Sequence, residues 1–253
     1  LALWLWLYHP PEKSRRVSTA ELAHIHSGVA ETAEGKIPWT KLLGYREAWA
    51  YYGTCVLVGP VWWFYGFWLP GFFADQYQLS MSKFGPLVAL VGVGAALGSV
   101  FGGGLSAWFL KRNWSVNRAR KTAAFFCALC TLPVVATPHL ANKWLAAGLF
   151  ALAAAAHQGW SATMYSAVAD IFPKRAVASV VGFGGMLAGV VSTAFFWFAS
   201  NEIWRRKAEL GAAYHTDYRT YGTIMMICGC AYVVAWAIFH VGVPVIKPVK
   251  IRS

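Results

Sequence analysis

The stretch AAGLFALAAAAHQGWSATMYSAVADIFPKR, residues 146–175, decides the fold. Residues 146–156 carry no charge, and the first aspartate, glutamate, lysine or arginine along the run is Asp170. A bilayer core takes roughly 20 apolar residues, and this run supplies them, so it reads as one membrane-spanning helix. Polar groups nevertheless interrupt its middle: His157, Gln158, Ser161 and Tyr165. At about 100° per residue these four fall within roughly one quadrant of the helix surface. A polar stripe is costly in lipid, so it is expected to face protein or water. Two readings of it stand. The side chains hydrogen-bond neighbouring helices, or they line a solute path. Pro173 then stops the helix, and Lys174 and Arg175 mark a cytoplasmic end.

Composition supports the same environment along the whole chain. Of 253 residues, 58% are hydrophobic and 13% are charged, against about 25% charged in soluble domains. The expected class is an all-α membrane protein. The net charge of +12 would point to nucleic acid on a soluble chain. Here the basic residues collect in short segments between apolar runs, which is the positive-inside pattern, so no nucleic-acid partner is expected. The 14 tryptophans suit interfacial and cavity-lining positions. Cys55, Cys127, Cys130, Cys228 and Cys230 all lie in apolar runs and read as buried small apolar residues. No residue pattern calls for a cofactor or a metal. The N-terminal stretch LALWLWLYHPPEKSRR lacks a signal peptide's basic start and cleavage site.

Three segments follow. Residues 1–8 read as the end of a transmembrane helix, and residues 9–44 as a cytoplasmic linker. In the linker, Ser18 or Thr19 ahead of Glu21 signals the start of a short helix. Residues 45–253 read as a six-helix bundle. Its first span, residues 46–73, has Pro60 at its centre, where a kink is expected, and Pro70 at its end. The second, residues 84–110, places Gly94, Gly98 and Gly102 four apart, a stripe that lets another helix approach closely. KRNWSVNRARK, residues 111–121, is a basic inner loop, and residues 122–136 form a short third span. After residues 146–175, the fifth span covers residues 177–199, with Gly182, Gly185 and Gly189 on a small-residue face. Residues 201–220 read as a polar outer loop and residues 221–243 as the last span. Four basic clusters then fall on one side of the membrane. Arg205, Arg206 and Lys207 fall on the other, partly offset by Glu202, Glu209 and Asp217.

PVWWFYGFWLP, KRNWSVNRARKTA, LAAAAHQGWSA and DIFPKRAVASVVGFGGM, in this order, resemble the C-terminal half of transporters of the major facilitator superfamily. The nearest likeness is to its anion:cation symporters, and among these to hexuronate transporters. The resemblance spans residues 39–189 and weakens after Ala199. It implies a C-terminal six-helix bundle preceded by the end of helix six. It also implies a missing N-terminal six-helix half as partner, and a multi-pass protein of the cell inner membrane. Within membrane lipid, the two halves rock about a midplane site that takes a sugar acid with a proton. In such symporters the coupling carboxylates and the anion-binding arginine sit in the N-terminal half.

The site residues expected in this half come from two helices. Gln158 and Ser161 offer hydrogen bonds to a sugar hydroxyl or carboxylate, Trp160 offers a ring face, and Tyr165 completes the stripe. The Pro60-bearing helix offers Trp62, Trp63, Phe64 and Tyr65; either Trp63 and Phe64 line the cavity, or Trp62 and Trp68 meet lipid while the others pack. His157 and Pro60 are expected behind these contacts, and Asp170 in an ion pair beside Lys174 and Arg175. Reading from another class, GWSA at residues 159–162 with His240, or His157 with Ser161, superficially resembles an intramembrane serine protease dyad. On one helix, however, His157 and Ser161 are poorly placed for base catalysis. A third reading is an inactive membrane fragment or scaffold.

Overall fold

The computed structural model describes residues 8–14, 17–27, 37–215 and 217–249. The chain divides into two compact units, Leu1–Pro38 and Trp39–Ser253. In the first, a 3-10 turn at Pro11–Lys13 precedes a helix at Thr19–Ser27. Ser18 caps this helix, its hydroxyl oxygen accepting the Glu21 N–H at 3.2 Å. Of residues 1–8, expected to end a transmembrane helix, all but Tyr8 lie outside the described residues, and Tyr8 is not helical.

In the second unit a one-turn helix at Trp39–Leu42 leads into six long helices. They are α1 (Arg46–Tyr77), α2 (Met81–Lys111), α3 (Val116–Thr131), α4 (Lys143–Ile171), α5 (Lys174–Leu210) and α6 (Arg219–Gly242). No strand occurs among the described residues. The apolar windows of α1, α2, α5 and α6, and of α3 together with the 3-10 stretch that continues it to His139, are long enough to cross a membrane. The polar stripe at its centre keeps α4 below the same mean hydropathy, yet α4 packs along α2 and α3 inside the bundle. Burial against neighbouring helices holds α4 in the bundle.

The elements run further than the loop-like residues imply. Pro60, Pro70 and Pro86 are all inside continuous helices, so Pro70 does not end α1. Neighbouring helices make the lost N–H bond tolerable in a bundle. Gln78 closes α1 with a φ of 51°, and Asn113 turns the chain after α2 with a φ of 60°. The connection between α2 and α3 is shorter than the eleven residues expected, because α3 begins at Val116 with Ser115 accepting the Arg118 N–H. Arg118, Arg120 and Lys121 therefore stand on the first turns of α3. After Thr131, Pro133 removes a donor and clashes with the preceding turn, so α3 tightens into a 3-10 stretch, Leu132–His139. Asn142 then caps α4, accepting from the N–H groups of Trp144 and Leu145.

The largest departure lies in residues 201–220. Much of this charged segment is helical: α5 continues to Leu210 and a 3-10 turn covers Gly211–His215. Glu202 bridges Arg205 and Arg206 at 2.7 and 2.9 Å, and Glu209 bridges Arg205 at 2.8 Å, all at helical spacing. Lys207 reaches Asp75 of α1 at 2.7 Å. The three cations that break the charge rule are thus each held by a carboxylate. Asp217 pairs instead with Arg219, whose guanidinium and N–H hold the carboxyl down to about 2.

The core lies between α1, α4 and α6. Phe72 meets both Phe150 and Tyr221 edge to face at 5.2 Å, with Tyr65 and Phe73 against Phe150. Along α2 and α4 the backbones touch. A Cβ on Gly94, Gly98 or Gly102 would sit 2.5, 2.2 or 2.1 Å from the backbone of Ala151, Ala155 or Gly159. The glycine stripe expected on α2 therefore forms a helix seam. The expected face of α5 does not: Gly182, Gly185 and Gly189 have open space, and Gly184 instead packs on Tyr51 and Cys55. All five cysteines are free thiols, but only Cys127 and Cys228 are buried, and Cys230 is exposed.

Polar ties close both ends. At one, Arg120 bonds Asp170 at 2.9 Å and Ser106 at 2.7 Å. The Lys121 ammonium donates to the Pro244 carbonyl at 2.8 Å. Arg120 is thus a partner for Asp170 that the sequence reading, which looked to Lys174 and Arg175, did not name. At the other end Gln76 and Tyr77 donate to the carbonyls of Pro138 and Leu140.

Candidate functional site

Halfway along α1 and α4, a cavity of about 380 Å³ opens between α1, α4 and α5. Its back is closed by small residues. Gly59 of α1 meets Ala188 of α5 so closely that a Cβ on Gly59 would lie 2.7 Å from the Ala188 Cβ. α4 contributes its polar stripe, and α1 the stripe Tyr51, Cys55, Val58 and Trp62, which recurs at three- and four-residue steps. Val181, Gly185 and Ala188 line it from α5.

The structure brings His157, Gln158, Trp160, Ser161, Tyr165 and Trp63 to this cavity. Gln158 and Ser161 are half-buried. Tyr165 and Trp63 stand at its mouth, 53% and 49% exposed. Trp160 is 2% exposed and meets Tyr232 of α6 edge to face at 5.7 Å. Phe64 is elsewhere. It is 1% exposed, stacked on Trp68 and set against Phe195 of α5. Pro60 is also turned away, lining an apolar groove with Val61, Phe195 and Ile227. Trp62 corrects the reading that sent it to lipid. Its ring lies flat on His157, centroids 4.4 Å apart. Trp62 and Phe64 are two residues apart, about 200° around the helix, so one can face the cavity only if the other does not.

His157 is less a bystander than expected. It lines the cavity, its Nδ1 lies 2.6 Å from the Tyr232 hydroxyl, and its Nε2 lies 3.4 Å from Ser161 Oγ. Besides Trp62, sequence reading missed Tyr51, Thr54 and Tyr232. The stripe from Tyr51 to Trp62 carried a usable signal. Tyr232, alone among the apolar residues of α6, carried none.

The lining contains hydroxyls, an amide, an imidazole and aromatic faces, but no lysine, arginine, aspartate or glutamate. Such a surface offers hydrogen bonds and flat apolar contact to a hydroxylated solute. It offers no formal charge to match an anion. The protease reading gains no support from this arrangement. Ser161 and His157 share one helix, and His240 is stacked on Trp236, at a centroid distance of 4.8 Å, near the far end of α6.

Residues 1–196 match the family model of the Major Facilitator Superfamily. The chain belongs to this superfamily. It is therefore a multi-pass membrane protein of a transporter family and not an enzyme. Its relatives agree. It is 27% identical over 186 residues to a probable galactarate/D-glucarate transporter of Escherichia coli K12, covering 68% of this chain and 41% of that protein. It is 25% identical over 200 residues to the hexuronate transporter of the same strain, covering 76% and 46%. It is 23% identical over 202 residues to a D-galactonate transporter of E. coli O6:H1, covering 74% and 47%. The chain thus spans less than half the length of the curated relatives it matches. The cavity of α1, α4 and α5 lies halfway along two of the helices and is lined in part by polar side chains.

Proposed function

We propose that this bundle is one half of a secondary transporter for sugar acids, with hexuronates, aldarates or aldonates as its solutes. The observation that carries this reading is the midplane cavity with Gln158, Ser161 and Tyr165 on one wall and Trp62 and Trp63 on the other. The relatives, named as transporters of galactarate or D-glucarate, D-galactonate and hexuronates, support the class. A second six-helix half closes the cavity and supplies the positive charge that this lining lacks. The bundle is the C-terminal half, set in the bacterial inner membrane with its Arg120 end in the cytoplasm. Transport runs by alternating access, with a proton carried alongside the anion. The test is uptake into proteoliposomes that carry the full-length protein. Labelled glucuronate, galactarate and galactonate are offered under an inward proton gradient, and separately under a sodium gradient. Accumulation of at least one, driven by the proton gradient, is expected. Failure of all three under both gradients removes the sugar-acid reading, and accumulation under sodium alone removes the proton.

A further inference from the structure

The wall of the cavity conceals a chain of hydrogen bonds that reaches from the bundle core to the solute space. Tyr232 is 0% exposed, and among the described residues its hydroxyl has one hydrogen-bond partner, His157 Nδ1 at 2.6 Å. The other ring nitrogen, Nε2, faces Ser161 Oγ, a long contact of 3.4 Å. Trp62, parallel to the imidazole within 5°, blocks rotation of the ring out of this plane.

From these contacts we propose that Tyr232 is a positioning residue. It fixes His157 as the Nε2–H tautomer and thereby presents Ser161 to the cavity as a hydrogen-bond donor. The proposal rests on the transport reading for the identity of the solute, though not for the proton arrangement itself. The direction follows from accounting for buried protons. A buried hydroxyl hydrogen without an acceptor is costly. If Nδ1–H donated to Tyr232, the phenol hydrogen would need another acceptor. The nearby Tyr65 hydroxyl is no such acceptor, since it makes no hydrogen bond. Tyr232 therefore donates to Nδ1, which must be unprotonated, and the neutral ring carries its hydrogen on Nε2. That hydrogen points at the Ser161 oxygen.

Ser161 differs from Thr163 and Ser166 on its own helix and from Ser192 on α5. Thr163, Ser166 and Ser192 each donate to the carbonyl four residues back, at 2.8, 2.9 and 2.7 Å. Ser161 makes no such bond among the described residues, so its hydrogen is not spent on its own helix. With its oxygen facing Nε2–H, the hydrogen is left to turn into the cavity. The solute atom it recognises is an acceptor, a carboxylate or hydroxyl oxygen. Gln158 on the same wall offers both a donor and an acceptor, so polarity at this wall is set at Ser161.

The test begins with no solute. Nitrogen-15 histidine spectra of the full-length wild-type protein, with the His157 signal assigned by its loss in His157→Gln, report which ring nitrogen is protonated. Protonation on Nε2 alone is expected, and protonation on Nδ1, or on both, overturns the proposal. Tyr232→Phe keeps the ring and removes the donor, so the His157 tautomer is expected to become mixed. An unchanged tautomer in that variant overturns the proposal as well. Transport then supplies the coupling. Tyr232→Phe and Ser161→Ala are each expected to raise the galactarate KM about tenfold, the worth of one hydrogen bond, and the double variant no further. Additive effects overturn the relay. A chain that moves no sugar acid but shows the Nε2–H tautomer sinks the solute reading and leaves the proton arrangement standing.

Discussion

Trp62 and His157 lie face to face across the α1–α4 boundary, 4.4 Å between centroids and 5° between planes. The pair joins the two helices near their midpoints, on the wall of the cavity that collects the polar stripe of α4. Offset or parallel ring pairs contribute roughly 0.5–1.5 kcal/mol beyond buried area. One indole therefore does two jobs, packing the imidazole and presenting its edge to the cavity. Trp62→Ala is expected to raise the KM for sugar-acid uptake about tenfold, with Trp62→Phe nearer wild type, because a smaller ring still stacks. Uptake kinetics in proteoliposomes check this. Equal kinetics in Trp62→Ala and wild type would remove Trp62 from the solute wall.

Trp63 and Phe64 separate site from core. Trp63 stands half-exposed at the cavity mouth, while Phe64 is sealed between α1 and α5. Phe64→Ala opens a cavity in packed protein and is expected to cost about 3–5 kcal/mol, seen as a lower unfolding temperature in detergent. Trp63→Ala is expected to leave that temperature within a few degrees and to reduce uptake. Thermal unfolding and uptake, measured on both variants, give opposite signatures. The same signature from both would show that the two faces of α1 are not distinct in this way.

What could be read in the sequence was local. The Gly94–Gly98–Gly102 stripe was legible because a seam needs only small residues at a fixed step. The polar face of α4 was legible for the same reason. Pro60, in contrast, marks the middle of a span without saying which face is inward, and the choice of Phe64 over Trp62 followed from it. The charges of residues 201–210 read as loop although Glu202, Arg205, Arg206 and Glu209 stand at three- and four-residue steps, a helix signal in its own right. The contacts of Lys207 with Asp75, and of His157 with Tyr232, join residues far apart in the chain, so no local pattern could announce them. The glycines of α5 misled because a small-residue face is as suited to a cavity wall as to a helix contact.

The α2–α4 seam has its own test. Gly98 would bring a Cβ to 2.2 Å from the Ala155 carbonyl oxygen, while Gly104, one and a half turns on, has nothing within 4 Å. Backbone atoms cannot move aside as a flexible side chain does, so Gly98→Val must separate the helices. The expected loss is about 1–3 kcal/mol or more, the range for overpacked cores. Gly104→Val is expected to be close to neutral. Unfolding temperatures of the two variants decide it, and a Gly98→Val as stable as wild type would mean that the seam is looser than the 2.2 Å approach implies.

Arg120 and Asp170 tie α3 to the last turn of α4, and Ser106 of α2 shares the guanidinium. The Arg120 side chain is 14% exposed and that of Asp170 31%, so water screens the pair only in part. Truncating either partner leaves a poorly solvated charge behind, which costs more than the pair itself contributes. Asp170→Ala and Arg120→Ala are each expected to destabilise the bundle by roughly 1.5–3 kcal/mol, as for a lost hydrogen bond to a charged group. The double variant Arg120→Ala/Asp170→Ala is expected to cost clearly less than the sum, since neither ion is then stranded. Thermal unfolding of the two singles and the double gives the coupling directly. Additive losses would mean that the two charges are each solvated independently, and that the three helix ends are held by packing alone.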